Sequence, residues 1–289
     1  MKPSKEEIDM EIIDLRSDTV TKPTPGMLDS MMNARVGDDV FMEDPATLDL
    51  ENKAASLFGK EAALFCPTGT MTNQIGIKLH TQPGDEVICD RLSHVYNFEG
   101  GGIAFHSGCS VRTLDGDRGR FTAEDVEQNI NERDDVHKPL TSLVVVENTS
   151  NKGGGAIWDW QEMEKIRKVC DDNGLGFHLD GARLFNAIVA RQQDPKDYGR
   201  LFDTLSVCLS KGLGAPVGSL ILGSRQDIRQ ARRLRKVMGG GMRQSGYLAA
   251  AAHYALDHHV DRMKEDHRRA RTLGECLENL HMVDHVLPV

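Results

Sequence analysis

Short apolar segments alternate with longer amphipathic segments along most of this chain, and no other feature of the sequence restricts its fold as strongly. The apolar segments, such as "SLVVVEN" at 142–148, are rich in β-branched residues and predict strands. Strands separated by amphipathic helices form βαβ units, so we expect an α/β fold with a mostly parallel sheet. Strands are predicted at 61–69 (with its turn), 85–90, 142–148, 175–180, 204–210 and 218–223, and helices at 70–82, 161–174, 225–238 and 245–280.

Composition limits the classes of protein to which the chain can belong. The 289 residues suit one large α/β domain or a large domain with a small one, and 39% hydrophobic with 27% charged residues is typical of soluble proteins. The formal net charge of −9 argues against nucleic acid as a partner, and the lack of a long apolar run argues against a membrane. The six cysteines form no CxxC pair, so we expect no metal. Most of them adjoin apolar runs, and the N-terminus has no signal-like segment, so we expect a reducing, cytoplasmic location.

Three predicted strands are followed by residues that carry chemistry. "PTGT" at 67–70 precedes a helix, whose N-terminal N–H groups favour an anion such as phosphate, although a capped helix explains it equally well. Asp180 ends a strand and could be a helix cap or a partner of Arg183. Lys211 ends another strand and could be an exposed lysine with a buried stem. In an open parallel sheet, ligands bind beyond these strand ends.

Asp180 and Lys211 together indicate a more specific chemistry than either residue does alone. A lysine can bind an aldehyde cofactor covalently, and an aspartate can keep a pyridine nitrogen protonated. With a phosphate-binding turn nearby, the set fits pyridoxal 5′-phosphate. The same aspartate and lysine would serve a serine hydroxymethyltransferase, a β-eliminating lyase or a cysteine desulfurase, so this chemistry alone leaves several enzyme classes open.

Seven motifs resolve that choice by resemblance: "IDLRSDTVTKPTPGM", "VGDDVF", "KEAALFCPTGTMTNQ", "SHVYNFEGGG", "HLDGARLFNA", "CLSKGLGAPVGS" and "GGGMRQSG". Between Ile13 and about Arg268 the chain resembles the low-specificity L-threonine aldolases, which depend on pyridoxal phosphate and have the aspartate aminotransferase fold. The resemblance implies a mostly parallel seven-stranded sheet flanked by helices, a homotetramer, and cleavage of L-threonine or L-allo-threonine to glycine and acetaldehyde.

The resemblance also implies a role for each site residue. Lys211 would bind the cofactor covalently, Asp180 would hold its pyridine nitrogen, and His94 would stack on its ring and face the substrate hydroxyl. The base that takes the hydroxyl proton would be His94 or a water that it orders. Gly69 and Thr70 would bind the phosphate. Arg183 would contact the cofactor and the substrate carboxylate, Ser17 would contact the same carboxylate, and His137 would lie near the β-substituent. Lys236 and Arg243 would approach the phosphate region from a neighbouring subunit.

Some of these residues also fit ordinary structural roles. His137 lies in a polar stretch typical of the surface, and Ser17 precedes Asp18 and Thr19 in a pattern that also makes turns. The basic run 232–236 could be a solvated helix face.

The chain departs from the family pattern in three places. Ser150 replaces a usual histidine, and Phe41 replaces a frequent tyrosine whose hydroxyl would contact another subunit. The chain is also short, so we expect an N-terminal arm (1–20), a large cofactor-binding domain (21–245) and the start of an incomplete small domain (246–289), with a strand in 281–289. The missing substrate-binding arginine of that small domain raises an alternative function: a weakly active, cofactor-binding remnant that associates with a full-length subunit.

Overall fold

A seven-stranded sheet forms the centre of the molecule in the computed structural model, which describes residues 13–287. The strand order is β1-β7-β6-β5-β4-β2-β3; β7 is antiparallel to both of its neighbours, and every other adjacent pair is parallel. The strands are β1 (Ala62–Cys66), β2 (Glu86–Asp90), β3 (Ser110–Leu114), β4 (Thr141–Glu147), β5 (Gly176–Gly181), β6 (Thr204–Cys208) and β7 (Ser219–Gly223).

Helices connect the strands and cover both faces of the sheet. Several begin at a side chain that accepts a backbone N–H of the first turn, as Thr68, Asp159 and Ser224 do. The helices are α1 (Pro25–Met32), α2 (Pro45–Phe58), α3 (Gly69–His80), α4 (His94–Asn97), α5 (Ala123–Gln128), α6 (Trp160–Asn173), α7 (Leu184–Arg191), α8 (Pro195–Leu201), α9 (Arg225–Val237), α10 (Gly246–His258) and α11 (Met263–Glu278), with a 3₁₀ turn at Asp18–Val20 and a π turn at Ile103–Ser107.

Strand β4 shows why its apolar run is continuous rather than alternating. Val144 and Val146 face the main core, whereas Leu143 and Val145 face a second cluster on the other side of the sheet. All four are fully buried. A strand covered by helices on both faces needs apolar residues at successive positions, which is why a continuous β-branched run, rather than an alternation, identifies it.

The strand directions bring one set of ends together. Because β1, β2, β4, β5 and β6 run the same way, their carboxyl ends lie along one edge of the sheet. β7 runs in the opposite direction and begins at that edge, where Ser219 pairs with both Cys66 and Cys208. Glu147 and Asp180 are likewise paired in register.

Most of the predicted elements are confirmed, with two corrections. The predicted strand at 281–289 is wrong for residues 281–287, which form no strand, because a strand needs ladder hydrogen bonds to a neighbour and this segment makes none; residues 288–289 lie outside the described part. The seventh strand is instead β3, which sequence reasoning missed. The helix predicted at 245–280 is broken at 259–262, where the His259 ring bonds the Leu213 carbonyl and α11 turns to pack on α7.

The predicted division of the chain into an arm and two domains stays a prediction. Residues 1–12 of the arm lie outside the described residues. α10 packs on α1 and α2 and contributes Ala249, Ala252 and Ala255 to the main core, so residues just beyond 245 share the core of the sheet domain. Within residues 13–287, no helix is both long and apolar enough to cross a membrane.

Candidate active site

A pocket opens at the edge where the parallel strands end. Five of the residues predicted from sequence line it together: Gly69, Thr70, His94, Asp180 and Lys211. They are separated by up to 142 residues along the chain, counted from 69 to 211, and the sheet topology alone brings them together. Asn73, Ala182 and Cys208 complete the lining.

Lys211 lies in the loop that follows β6, where it is half-buried and lines this pocket. Its Nζ donates to the Cys208 Sγ over 3.3 Å. Burial raises the pKa of the Cys208 thiol, so the sulfur is held as a neutral thiol. The Lys211 carbonyl accepts the Thr21 hydroxyl over 3.1 Å, which fixes the loop from the other side.

Asp180 is buried and has one oxygen free. Its Oδ1 accepts the Ala182 N–H over 3.1 Å, whereas its Oδ2 is buried and has no hydrogen-bond partner among residues 13–287. A buried carboxylate oxygen without a donor is costly, so this atom calls for a ligand donor.

Glu147 stands beside Asp180 on the neighbouring strand. Its Oε2 accepts the His94 N–H over 2.8 Å, and its Oε1 accepts the Asn151 N–H over 2.9 Å. Burial, and next the charge of Asp180, raise the pKa of Glu147 to about 7. Glu147 therefore connects the start of α4 with the loop after β4, and its carboxyl group ionises less readily than an exposed one.

The N-terminus of α3 forms an anion cradle. Thr68 caps the helix by accepting the Met71 N–H over 3.1 Å, and the N–H groups of Gly69 and Thr70 are left without acceptors within the helix. A Cβ at Gly69 would lie 2.6 Å from the Cys208 Sγ, so only glycine lets the backbone approach here. The buried Ser219 Oγ lies 3.4 Å from that Cβ position and has no partner among the described residues.

His94 begins α4 at the side of the pocket. Its Nδ1 lies 2.9 Å from the Glu99 Oε1, and this hydrogen bond raises the pKa of His94. Asn73 and Gln74 donate to the two oxygens of Glu99 over 2.8 and 2.6 Å. The imidazole is thereby tethered through a carboxylate that α3 holds.

Arg183 and Ser17 meet through the residue between them. Arg183 borders a small cavity next to the pocket, and its guanidinium makes a bidentate pair with Asp18, at 2.8 Å from Nε to Oδ2 and 2.7 Å from Nη2 to Oδ1. Ser17 caps the 3₁₀ turn by accepting the Thr19 N–H. The alternative prediction for Ser17, a turn-capping role, thus describes the contacts that it makes. The turn itself lies beside the site.

Three predicted site residues lie elsewhere within one chain. Lys236 is exposed in the last turn of α9. Arg243 is exposed and pairs with Asp38 over 2.7 Å. His137 is exposed in the loop that precedes β4. Since that loop enters β4 at its amino end, His137 lies at the edge of the sheet opposite to the pocket.

The pocket residues fit pyridoxal phosphate. The unpartnered Asp180 Oδ2 suits a protonated ring nitrogen, the α3 cradle suits a phosphate, and Lys211 supplies the amine. Ligand atoms of His94, Glu99 and Asp180 also lie within 4.8 Å of one another, as in a metal site. The hydrogen bond between His94 and Glu99 accounts for that closeness, and the absence of a metal stays a prediction.

Comparison with known proteins agrees with this geometry. The model of the beta-eliminating lyase family matches residues 14–288. The chain belongs to this family.

Several relatives within the family carry a more specific name. A probable low-specificity L-threonine aldolase 2 of Arabidopsis thaliana is 44% identical over 271 residues, covering 93% of this chain and 76% of its own length. The low specificity L-threonine aldolase of Escherichia coli K12 is 44% identical over 92% of this chain and 79% of its own length. An uncharacterized protein of Caenorhabditis elegans is also 44% identical over 92% of this chain, which spans 65% of that protein's length. The resemblance to low-specificity threonine aldolases is therefore confirmed.

Solved structures confirm the predicted fold class. A Leishmania major threonine aldolase matches with a TM-score of 0.80 at 24% identity, over 90% of this chain and 77% of that one. A putative L-allo-threonine aldolase of Listeria monocytogenes matches with a TM-score of 0.76 at 24% identity, over 89% of this chain and 71% of that one.

Sequence reasoning missed three residues of the site. Asn73 lies four residues after Gly69, on the same face of α3, which helical spacing could have shown. Cys208 lies three residues before Lys211 and could have been found by continuing the strand inward. Glu99 gives no such signal, because a five-residue separation across a turn does not predict its contact with His94.

Proposed function

We propose that this protein is a pyridoxal-phosphate-dependent aldolase that cleaves L-threonine or L-allo-threonine to glycine and acetaldehyde. The observation that carries the proposal is the convergence of Lys211, the unpartnered Asp180 Oδ2 and the α3 cradle on one pocket that His94 also lines. The names of the relatives in Arabidopsis thaliana and Escherichia coli support the substrate class.

The contacts of the pocket residues support a role for each of them in binding the cofactor. Lys211 would bind the cofactor covalently, Asp180 would hold the ring nitrogen, and Gly69 and Thr70 would hold the phosphate with their backbone N–H groups. Bound pyridoxal phosphate would supply an electron sink when the Cα–Cβ bond of the substrate breaks.

His94 is the proposed base for the substrate's β-hydroxyl proton. A histidine suits this step because its neutral form exists near the working pH and its ring can both accept and return a proton. Since Glu99 occupies Nδ1, the proton would be accepted at Nε2. A water ordered by His94 is the alternative base.

Arg183 and Ser17 are the proposed contacts of the substrate carboxylate. An arginine carries five N–H donors, and the bidentate pair with Asp18 leaves others for a substrate. Asp18 would then orient Arg183 and keep its planar fork in place.

Three further expectations belong to this proposal. A neighbouring subunit of a homotetramer would bring Arg243, Lys236 and His137 near a pocket, since none of them reaches the pocket of its own chain. The exposed Phe41 would lie at such an interface. The protein would act in the cytoplasm.

Product analysis tests the proposal. The purified chain with added pyridoxal phosphate is incubated with L-threonine and, separately, L-allo-threonine, and acetaldehyde, glycine and 2-oxobutanoate are measured. We expect equal acetaldehyde and glycine, lost in Lys211→Ala and retained in the surface control Lys168→Ala. Production of 2-oxobutanoate and ammonia instead would identify water elimination and contradict the aldolase assignment.

A further inference from the structure

A line of hydrogen-bonded side chains runs through the buried interior to His94. The Thr204 Oγ1 lies 2.8 Å from the His178 Nδ1, and the His178 Nε2 lies 3.3 Å from the Asn73 Oδ1. The Asn73 Nδ2 donates to the Glu99 Oε1 over 2.8 Å, and the same oxygen lies 2.9 Å from the His94 Nδ1. Apart from His94, every member is buried, including His178 in the middle of β5.

The direction of each hydrogen bond follows from Glu99. An ionised carboxylate only accepts, so the atoms that face it must be N–H donors: the amide nitrogen of Asn73 and the Nδ1 of His94. The Asn73 oxygen must then face His178, which has to donate from Nε2. A neutral imidazole has one N–H, so the His178 Nδ1 accepts the hydroxyl hydrogen of Thr204.

His178 is suited to this one-way arrangement because it stays neutral. Burial lowers the pKa of His178 to about 3, so it carries a single N–H at any ordinary pH. The ring fits against α3 only because residue 76 is glycine: a Cβ there would lie 2.3 Å from the ring carbon Cε1. Gly76 thus gives His178 the position from which it reaches Asn73.

We propose that Asn73, held in place by His178, is a positioning residue that aims Glu99 at the Nδ1 of His94 and so fixes His94 as the Nδ1–H tautomer with a free lone pair on Nε2. The importance of that tautomer for turnover rests on the proposed function, in which Nε2 accepts the substrate proton. The tautomer itself does not rest on it. The other carboxyls near His94 are Glu147, which accepts its backbone N–H, and Asp180.

The tautomer can be observed directly in the intact 289-residue chain. Histidine labelled with ¹⁵N in the imidazole ring is incorporated, and two-bond ¹H–¹⁵N correlation spectra are recorded across a pH titration, before and after addition of pyridoxal phosphate. His94→Asn assigns the His94 signals among the 11 histidines. The wild type is expected to show a protonated Nδ1 and an unprotonated Nε2 for neutral His94.

Two variants break the line at different points. Asn73→Ala removes the donor to Glu99, and His178→Phe keeps the ring shape but removes the donor to Asn73. Both are expected to replace the single tautomer of His94 with a mixture and to lower its pKa, because Glu99 is then held by Gln74 through its other oxygen and can turn about that bond away from His94. Since His178→Phe tests the same link from the far end, the test survives if Asn73→Ala does not fold.

The matched control is Asn131→Ala. Asn131 is also a buried asparagine that donates to a buried glutamate, Glu86, over 2.9 Å, but it lies in the loop after α5, beside the amino ends of β2 and β4 and so at the opposite edge of the sheet. This variant should lose stability and leave the His94 spectrum unchanged. A wild-type His94 protonated at Nε2, or an unchanged His94 spectrum in both variants, would overturn the proposal whether or not the protein cleaves threonine.

Discussion

Glu147→Gln is expected to change how the stability of the cofactor-free protein depends on pH. Burial and the Asp180 charge raise the pKa of Glu147 from 4.5 to about 7 in the folded state. Below pH 4.5 the carboxyl is protonated in both the folded and the unfolded chain and costs nothing. Between pH 4.5 and about 7 only the unfolded chain has ionised, so the free energy of unfolding falls across this range and levels off once the folded chain ionises too.

The size of the effect follows from the same shift. A difference of 2.5 pKa units, 7 minus 4.5, at 1.36 kcal/mol per unit corresponds to about 3 kcal/mol lost above pH 7. Glutamine cannot ionise, so Glu147→Gln should lack this loss. Its amide nitrogen cannot accept one of the two backbone N–H groups that Glu147 accepts, so the variant is less stable overall.

Urea denaturation from about pH 4.5 to about pH 8 measures this difference. The unfolding free energy of the wild type, minus that of Glu147→Gln, should fall with pH by up to about 3 kcal/mol. The exposed Glu278→Gln serves as the control and should show a flat difference. Parallel curves for the wild type and Glu147→Gln would refute the reasoning, because Glu147 would then ionise as readily in the folded chain as in the unfolded one.

Three further substitutions test the pocket and its support. Gly69→Ala places a Cβ 2.6 Å from the Cys208 Sγ, and overpacking of this kind costs about 1–3 kcal/mol. Pyridoxal phosphate should therefore bind roughly 5- to 150-fold more weakly in an absorbance titration. An unchanged Kd would contradict the assignment of the α3 N-terminus as the phosphate cradle. Asp180→Asn removes a charge-assisted hydrogen bond worth about 1.5–3 kcal/mol, so the same titration should show a roughly 10- to 150-fold weaker Kd, and no change would mean that Asp180 does not face the ring nitrogen. Gly76→Ala should lower the urea midpoint, since the clash with the His178 ring outweighs the gain of about 1 kcal/mol in helix propensity, and a raised midpoint would show that the ring moves freely.

The fold could be predicted from sequence wherever local periodicity reflected burial. β4 was recognisable because both of its faces are covered, so the four successive positions 143–146 are all apolar. β3 was not, because Ser110–Leu114 is an edge strand with four of its five residues at least partly exposed. The end of the chain showed the opposite failure: residues 281–287 have a strand-like composition but no partner strand, and pairing is a property of the whole fold.

The candidate site could be predicted where each residue followed a strand or opened a helix. Lys211, Asp180 and Gly69 are of this kind, since the topology of a parallel sheet brings strand ends together. Glu99 and the deeper His178 are not, because their contacts depend on how α3 lies across the sheet. A sequence pattern contains the period of a helix but not its position over its neighbours.

The account depends most on Lys211 being the residue that binds the cofactor. The direct test is to treat the chain with pyridoxal phosphate, reduce it with borohydride so that any imine to a lysine becomes permanent, and locate the modified lysine by peptide mass spectrometry. We expect one phosphopyridoxyl group per chain, on the peptide that contains Lys211, and none at that position in Lys211→Ala. Labelling spread over surface lysines, with Lys211 unmodified, would contradict the assignment of the pocket and of the chemistry derived from it.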